Sequence, residues 1–188
     1  TVQDVTGGPD HEISYDKLAA LWEHFNQLYI LVFPAEKRAE VIRLLGDHAE
    51  LDRNRYLALR RARAGTEADA GNAFAWFAYG SNLNHFSHYD DAAVAFDRAR
   101  DLGLPWRMLF YQFGPYIAYF NVGRYQDVID LASATLQARP ALEESYVWRG
   151  WARHMVGDTV GARADFRAAL RVNPNFTDAV TALDALGE

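Results

Sequence analysis

The sequence predicts a mainly α protein, a stack of helix pairs with a small α/β element at its N-terminus. Three observations predict it. Gly123 and Gly157, like Pro140 and Pro174, stand 34 residues apart, so the second half repeats a unit of that length. From Trp76 onward apolar residues recur at helical spacing, with small ones at Gly80, Ala92, Gly150 and Ala162 and rings at Phe96 and Phe166. The first 50 residues break the pattern. Within "NQLYILVFP", the six apolar residues Leu28 to Phe33, closed by Pro34, read as one buried β-strand.

Taken in order, "TVQDVTGGPDHEI" is partly β-like and turns at Gly7-Gly8-Pro9. Ser14 caps a helix, "SYDKLAALWEHFNQ", whose Leu18, Leu21, Trp22 and Phe25 share a face. The strand at 28–33 follows, and Pro34 opens "AEKRAEVIRLLG", a short amphipathic helix ending at Gly46. Residues 1–50 therefore form the α/β element. Residues 51–72 hold a connecting helix at about 52–64, a degenerate half-repeat with Ala58 and Ala62 at compatible offsets.

The repeats occupy 73–188, in units of about 73–106, 109–142 and 143–176 with a closing helix over 177–187. The small residues let paired helices approach, and Phe96 and Phe166 fill the space that remains. Gly123 and Gly157 take the left-handed position after the first helix of a pair; Pro140 and Pro174 stop the second. The middle unit departs from this, with Tyr116 at the small position, Pro115 before it and Arg107 and Met108 extra, which predicts a kinked or elongated first helix. The closing helix is expected to be capped by Thr177 or Asp178 and to bury Val180, Leu183 and Leu186.

The run "WFAYGSNLNHFSHYDDAAVAF" from Trp76, with the later Gly150, Gly157, Ala162, Phe166, Ala169 and Pro174, resembles the tetratricopeptide-repeat (TPR) family over 73–188. The resemblance implies a right-handed α-α superhelix whose concave face holds a peptide or a neighbouring segment, and a function without catalysis. It places Phe74, Phe77, Ser81 and Asn84, then Phe110, Phe113, Ile117 and Phe120, then Glu144, Val147, Trp151 and His154 on that face. This lining is apolar and aromatic and lacks the Lys, Arg and Asn set that holds a carboxylate terminus. So many large apolar side chains need a cover, either an apolar peptide or partner helix or the chain's own N-terminal segment.

A second resemblance covers residues 2–41. "VQDVTGGPDHEISYDKLAALWEHFNQLYILVFPAEKRAEV" looks like the C-terminal end of papain-like cysteine peptidase domains of the bacteriocin-leader-processing kind, which in some bacterial proteins precede TPR units. It implies that Asp4 is the triad acid that orients a histidine, and that the strand 28–33 closes a sheet whose other strands, with the Cys and His, lie upstream. Val5 stands where that family has proline. The local alternative pairs 28–33 with residues 2–5, a ribbon whose free edge invites a homodimer.

Composition removes several classes. A net charge of −6 excludes a phosphate-tracking surface and hence nucleic acid as partner. Without cysteine the chain alone has no thiolate nucleophile, disulfide or thiolate metal site. No apolar run reaches membrane-span length, which predicts a soluble protein, cytoplasmic or exported. Thr1 in place of Met predicts a processed product or an excised fragment. The H-x-x-H of His85 and His88 beside Asp90 and Asp91 falls at a helix turn, where polar residues are ordinary, and "RRARA" from Arg60 reads as a solvated face. No catalytic residue, metal or cofactor is assigned to the chain itself.

Overall fold

The computed structural model describes residues 2–4, 8–25 and 28–187, with backbone alone for 2–4, 8–11 and 106. Two short strands, β1 (Val2–Asp4) and β2 (Gly8–His11), pair antiparallel with Val2 opposite His11 and Asp4 opposite Gly8. Gly8 and Pro9 thus belong to a strand, while Thr1, Val5 and Gly7 lie outside the described residues. Helix α1 (Tyr15–Glu23) starts where Ser14 Oγ accepts the amide of Lys17 at 3.2 Å, as its capping role requires.

The expected strand at Leu28–Phe33 does not form. These residues join no strand and are exposed, from 38% at Phe33 to 94% at Val32. Strand propensity needs a neighbour to accept its N–H and C=O groups, and β1 is already paired to β2. Leu28 carries the polar ties here: Trp22 Nε1 donates to its carbonyl at 2.7 Å, and its amide donates to the Phe25 carbonyl at 3.1 Å. The α/β element therefore lacks the strand expected at 28–33.

Helices α2 (Arg38–Leu45) and α3 (Leu51–Ala68) follow. Beyond them run three pairs, α4 (Ala73–His85) with α5 (Tyr89–Asp101), α6 (Gly114–Asn121) with α7 (Tyr125–Ala138), and α8 (Glu143–Met155) with α9 (Thr159–Val172), closed by α10 (Thr177–Ala185). Each pair turns in three residues around one left-handed position, Ser87 (φ 59), Gly123 (φ 76) or Gly157 (φ 91). The bond that closes the turn recurs: His88 N to Leu83 O, Arg124 N to Tyr119 O and Asp158 N to Arg153 O, at 3.0, 2.8 and 2.9 Å. Ser87 is the position without a glycine.

The middle unit is shortened rather than kinked or elongated. Proline lacks the donor that a preceding helical turn needs, so Pro115 sits in the first turn of α6, and Trp106–Phe110 form a separate 3-10 turn. Of the two extra residues, Met108 is buried and Arg107 is exposed.

One pair of residues, 16 apart in sequence, fills each hairpin. A Cβ on Gly80 would lie 2.9 Å from the Phe96 ring, and one on Gly150 would lie 2.5 Å from the Phe166 ring, so only glycine admits those rings. In the middle hairpin the sizes are reversed. Tyr116 and Ala132 occupy the corresponding places, both fully buried, and Tyr116 Oη donates to Thr135 Oγ1 at 3.1 Å. Total volume is kept while the ring moves to the other helix.

At the C-terminus neither Thr177 nor Asp178 caps α10 with its side chain; Phe176 holds the cap position. The face it buries is Ala179 and Ala182, with Leu183 and Leu186 alongside, while Val180 points outward at 43% exposed. The small alanines let α10 lie close against α9.

Candidate functional site

The first helices of the pairs carry most of the residues expected on the concave face. Phe77 and Val147 are buried in the core instead, Phe77 edge-on to Phe96 with centroids 5.3 Å apart. Phe110 and Phe113 precede α6 and so leave the helical register; Phe113 stacks on Tyr116 at 6.4 Å. Ser81 Oγ donates to the Phe77 carbonyl, and Asn84 Nδ2 donates to the Gly114 carbonyl at 2.7 Å, which ties α4 to α6. Glu144 and His154 are half-buried.

What remains accessible is a row of half-buried apolar side chains, Phe74, Ile117, Phe120 and Trp151, on α4, α6 and α8, the first helices of three successive pairs. They are not a bare patch. Phe120 meets Trp148 and Tyr125 at 5.9 and 5.2 Å, and Trp151 meets Phe166 at 5.2 Å and the His154 ring at 6.0 Å. The N-terminal segment touches this face at one end, where His24 stacks on Phe74 at 3.9 Å and Phe25 on Tyr111 at 6.2 Å.

Charged clusters fall between helices rather than along the row. Asp165, nearly inaccessible, accepts from Arg149 at 2.7 and 2.9 Å and from Arg153 at 2.8 Å. Asp97 accepts from Arg124 at 2.6 and 3.0 Å and from Tyr119 Oη at 2.8 Å. Burial alone would raise the Asp97 carboxyl, but the Arg124 and Tyr119 hydrogen bonds outweigh it and hold the carboxyl below its usual range. Burial pushes the Tyr119 phenol up to about 12. These clusters are saturated with partners and hold the helices in register.

A second concavity opens at the N-terminal end, a cleft of about 970 Å³ between the segment 28–45 and the faces of α3 and α4. No motif announces it, because it lies beside small residues of α3, Ala58, Ala62 and Gly65. His85 and His88 form no metal cluster with their acidic neighbours, and no group of three ligating side chains gathers among the described residues. Burial first, then Arg55, lowers the His85 pKa. Asp4 ends β1, and its side chain lies outside what the structure describes. No helix among the described residues is long and apolar enough to cross a membrane.

Among solved structures the chain is similar to a crystal structure of MamA, with a TM-score of 0.62 and 16% identity over 85% of this chain and 87% of that one. It is also similar to MamA 41-end from Desulfovibrio magneticus RS-1 (TM-score 0.59, 18% identity, 79% and 90% covered) and to a MamA RS-1 ArsTM double mutant (0.59, 16%, 79% and 96%). These likenesses show a tetratricopeptide-repeat fold. No protein-family model matches the chain, and no curated protein matches it.

Proposed function

We propose that this chain, a tetratricopeptide-repeat fold, is a non-catalytic interaction module that holds an apolar peptide along the row Phe74, Ile117, Phe120 and Trp151. The observation that carries this reading is the row itself: large apolar side chains from the first helices of three successive pairs remain half accessible although the core beside them is closed. Aromatic side chains give a binding face much contact area at little cost in side-chain entropy, and no lysine or arginine among them selects a carboxylate terminus. The occupant is a partner's peptide or the chain's own N-terminal segment, whose His24 already lies on Phe74.

Peptide-display selection on the wild-type protein and on an Ile117→Asp, Trp151→Ala variant tests this. Apolar peptides that lose at least tenfold in affinity on the variant support the reading, and equal binding to both proteins overturns it. A free peptide of residues 12–34 that competes for the site identifies the chain's own segment as occupant. Phe113→Ala and Phe120→Ala add a stability readout. Each costs about 3–5 kcal/mol if the groove is filled internally, and unchanged thermal unfolding removes that occupant. The alternative, a C-terminal portion of a papain-like peptidase using Asp4, draws no support from the fold, because the strand it requires over Leu28–Phe33 is unpaired.

A further inference from the structure

The stack has an unfinished hairpin at its N-terminal end. Ala58, Ala62 and Gly65 of α3 stand 34 residues before Ala92, Phe96 and Ala99 of α5, so α3 is the second helix of a unit that precedes α4. The first helix of that unit falls on α2, which stops early at Leu45 because Gly46 leaves the helical region at φ 54. The filling pair of this unit is Gly46 and Ala62. Both are small, so no ring draws the two helices together, and α2 stands across the cleft instead of closing it.

The geometry points to this cleft as a binding site for an acidic amphipathic helix of a partner protein. A helix 10 Å across occupies 970 Å³ over about two turns, roughly eight residues. The floor is made of small side chains on two packed helices, Ala58 and Ala62 from α3 and Ala78 from α4, which is the kind of surface that receives a helix in each finished pair. A bulky apolar side chain of the guest takes the place beside Ala62 that the ring holds in each finished pair. Arg38, Arg55 and Arg61 line the same cleft, and their side chains make no hydrogen bond or ion pair among the described residues. Glu23 and Glu50 also line it, so the wall keeps an excess of positive charge in a chain of net charge −6. Carboxylates flanking the apolar face of the guest complement that excess. The site is separate from the concave row.

The test uses the full chain and a fluorescein-labelled synthetic helix with Leu and Phe at i, i+3, i+4 and i+7 and Glu on both flanks, followed by anisotropy. Saturable binding is expected, at least tenfold weaker for the same helix with Lys in place of Glu. Arg55→Glu with Arg61→Glu should cost at least tenfold, and Ala62→Trp should abolish binding, while Phe120→Ala with Trp151→Ala changes it less than twofold. The arginine variants lie on accessible helix surface, so circular dichroism will show them folded even if Ala62→Trp is not. Equal binding of the Glu and Lys helices overturns the proposal, as does indifference to the arginine substitutions. Saturation by dodecanoate without binding of the helix overturns it in favour of a small amphiphile. Dimerisation that buries the cleft and excludes the helix overturns it in favour of a second copy.

Discussion

The α8/α9 hairpin and the α2/α3 pair hold equivalent places in the repeat, and both set a glycine 16 residues before the residue that should fill the space. In the first, Gly150 faces Phe166 and the helices close over the ring. In the second, Gly46 is followed by Ala62 and a cleft remains. The middle hairpin supplies the third case, with Tyr116 and Ala132 exchanging the large and small roles. Closure thus depends on the summed volume of the two positions and not on which helix carries the ring. A hairpin whose two positions are both small stays open.

Breaking the closed hairpin should have the largest effect. Phe166→Ala makes the α8/α9 pair resemble α2/α3 at this position, and urea unfolding should show a loss of about 3–5 kcal/mol. A sharper test exchanges the roles in the middle hairpin. Ala132→Phe alone should overpack and cost about 1–3 kcal/mol. Added to Tyr116→Gly it should show a favourable coupling of about 0.5–3 kcal/mol in a double-mutant cycle, and strict additivity would sink the volume rule.

Smaller effects separate the closed stack from its open end through charge and turns. The depressed Asp97 carboxyl contributes stability that is present above its unfolded pKa of about 3.9 and is lost as pH falls through its lower folded value. Asp97 is partly exposed, so Asp97→Asn should cost about 0.2–1 kcal/mol at pH 7 and flatten the acid limb of thermal stability measured between pH 5 and 2. Smallest is Ser87→Gly. It relieves a left-handed serine where the other two turns have glycine and should stabilise by about 0.5 kcal/mol in the same unfolding assay.

The repeat was legible because its signals are local and spaced, as with Gly123, Gly157, Pro140 and Pro174. Ser87 was not, since a serine does not announce φ above zero and the insertion of Arg107 and Met108 moves it 36 residues from Gly123. Tyr116 showed as a departure, but its meaning depended on Ala132, a residue too ordinary to draw notice. The segment 28–33 misled for the opposite reason: strand-like composition was read without the neighbour that a strand needs. The apolar character of the first helices was legible as residue types, but the depth of Phe77 and Val147 was not, because neighbouring rings set it. The cleft was invisible because it follows from a side chain that is too small.

Phe96 has a further role beyond filling its own hairpin. A Cβ at Gly114 would lie 2.7 Å from its ring, as close as one at Gly80, so glycines of two successive units clasp the ring. The first two hairpins therefore share one bolt, and neither can swing open without releasing the other. Among the described glycines, Phe166 meets only Gly150, within its own unit. Amide hydrogen exchange should accordingly run α4 to α7 as one cooperative block, with α8 to α10 fraying ahead of it from the C-terminal end.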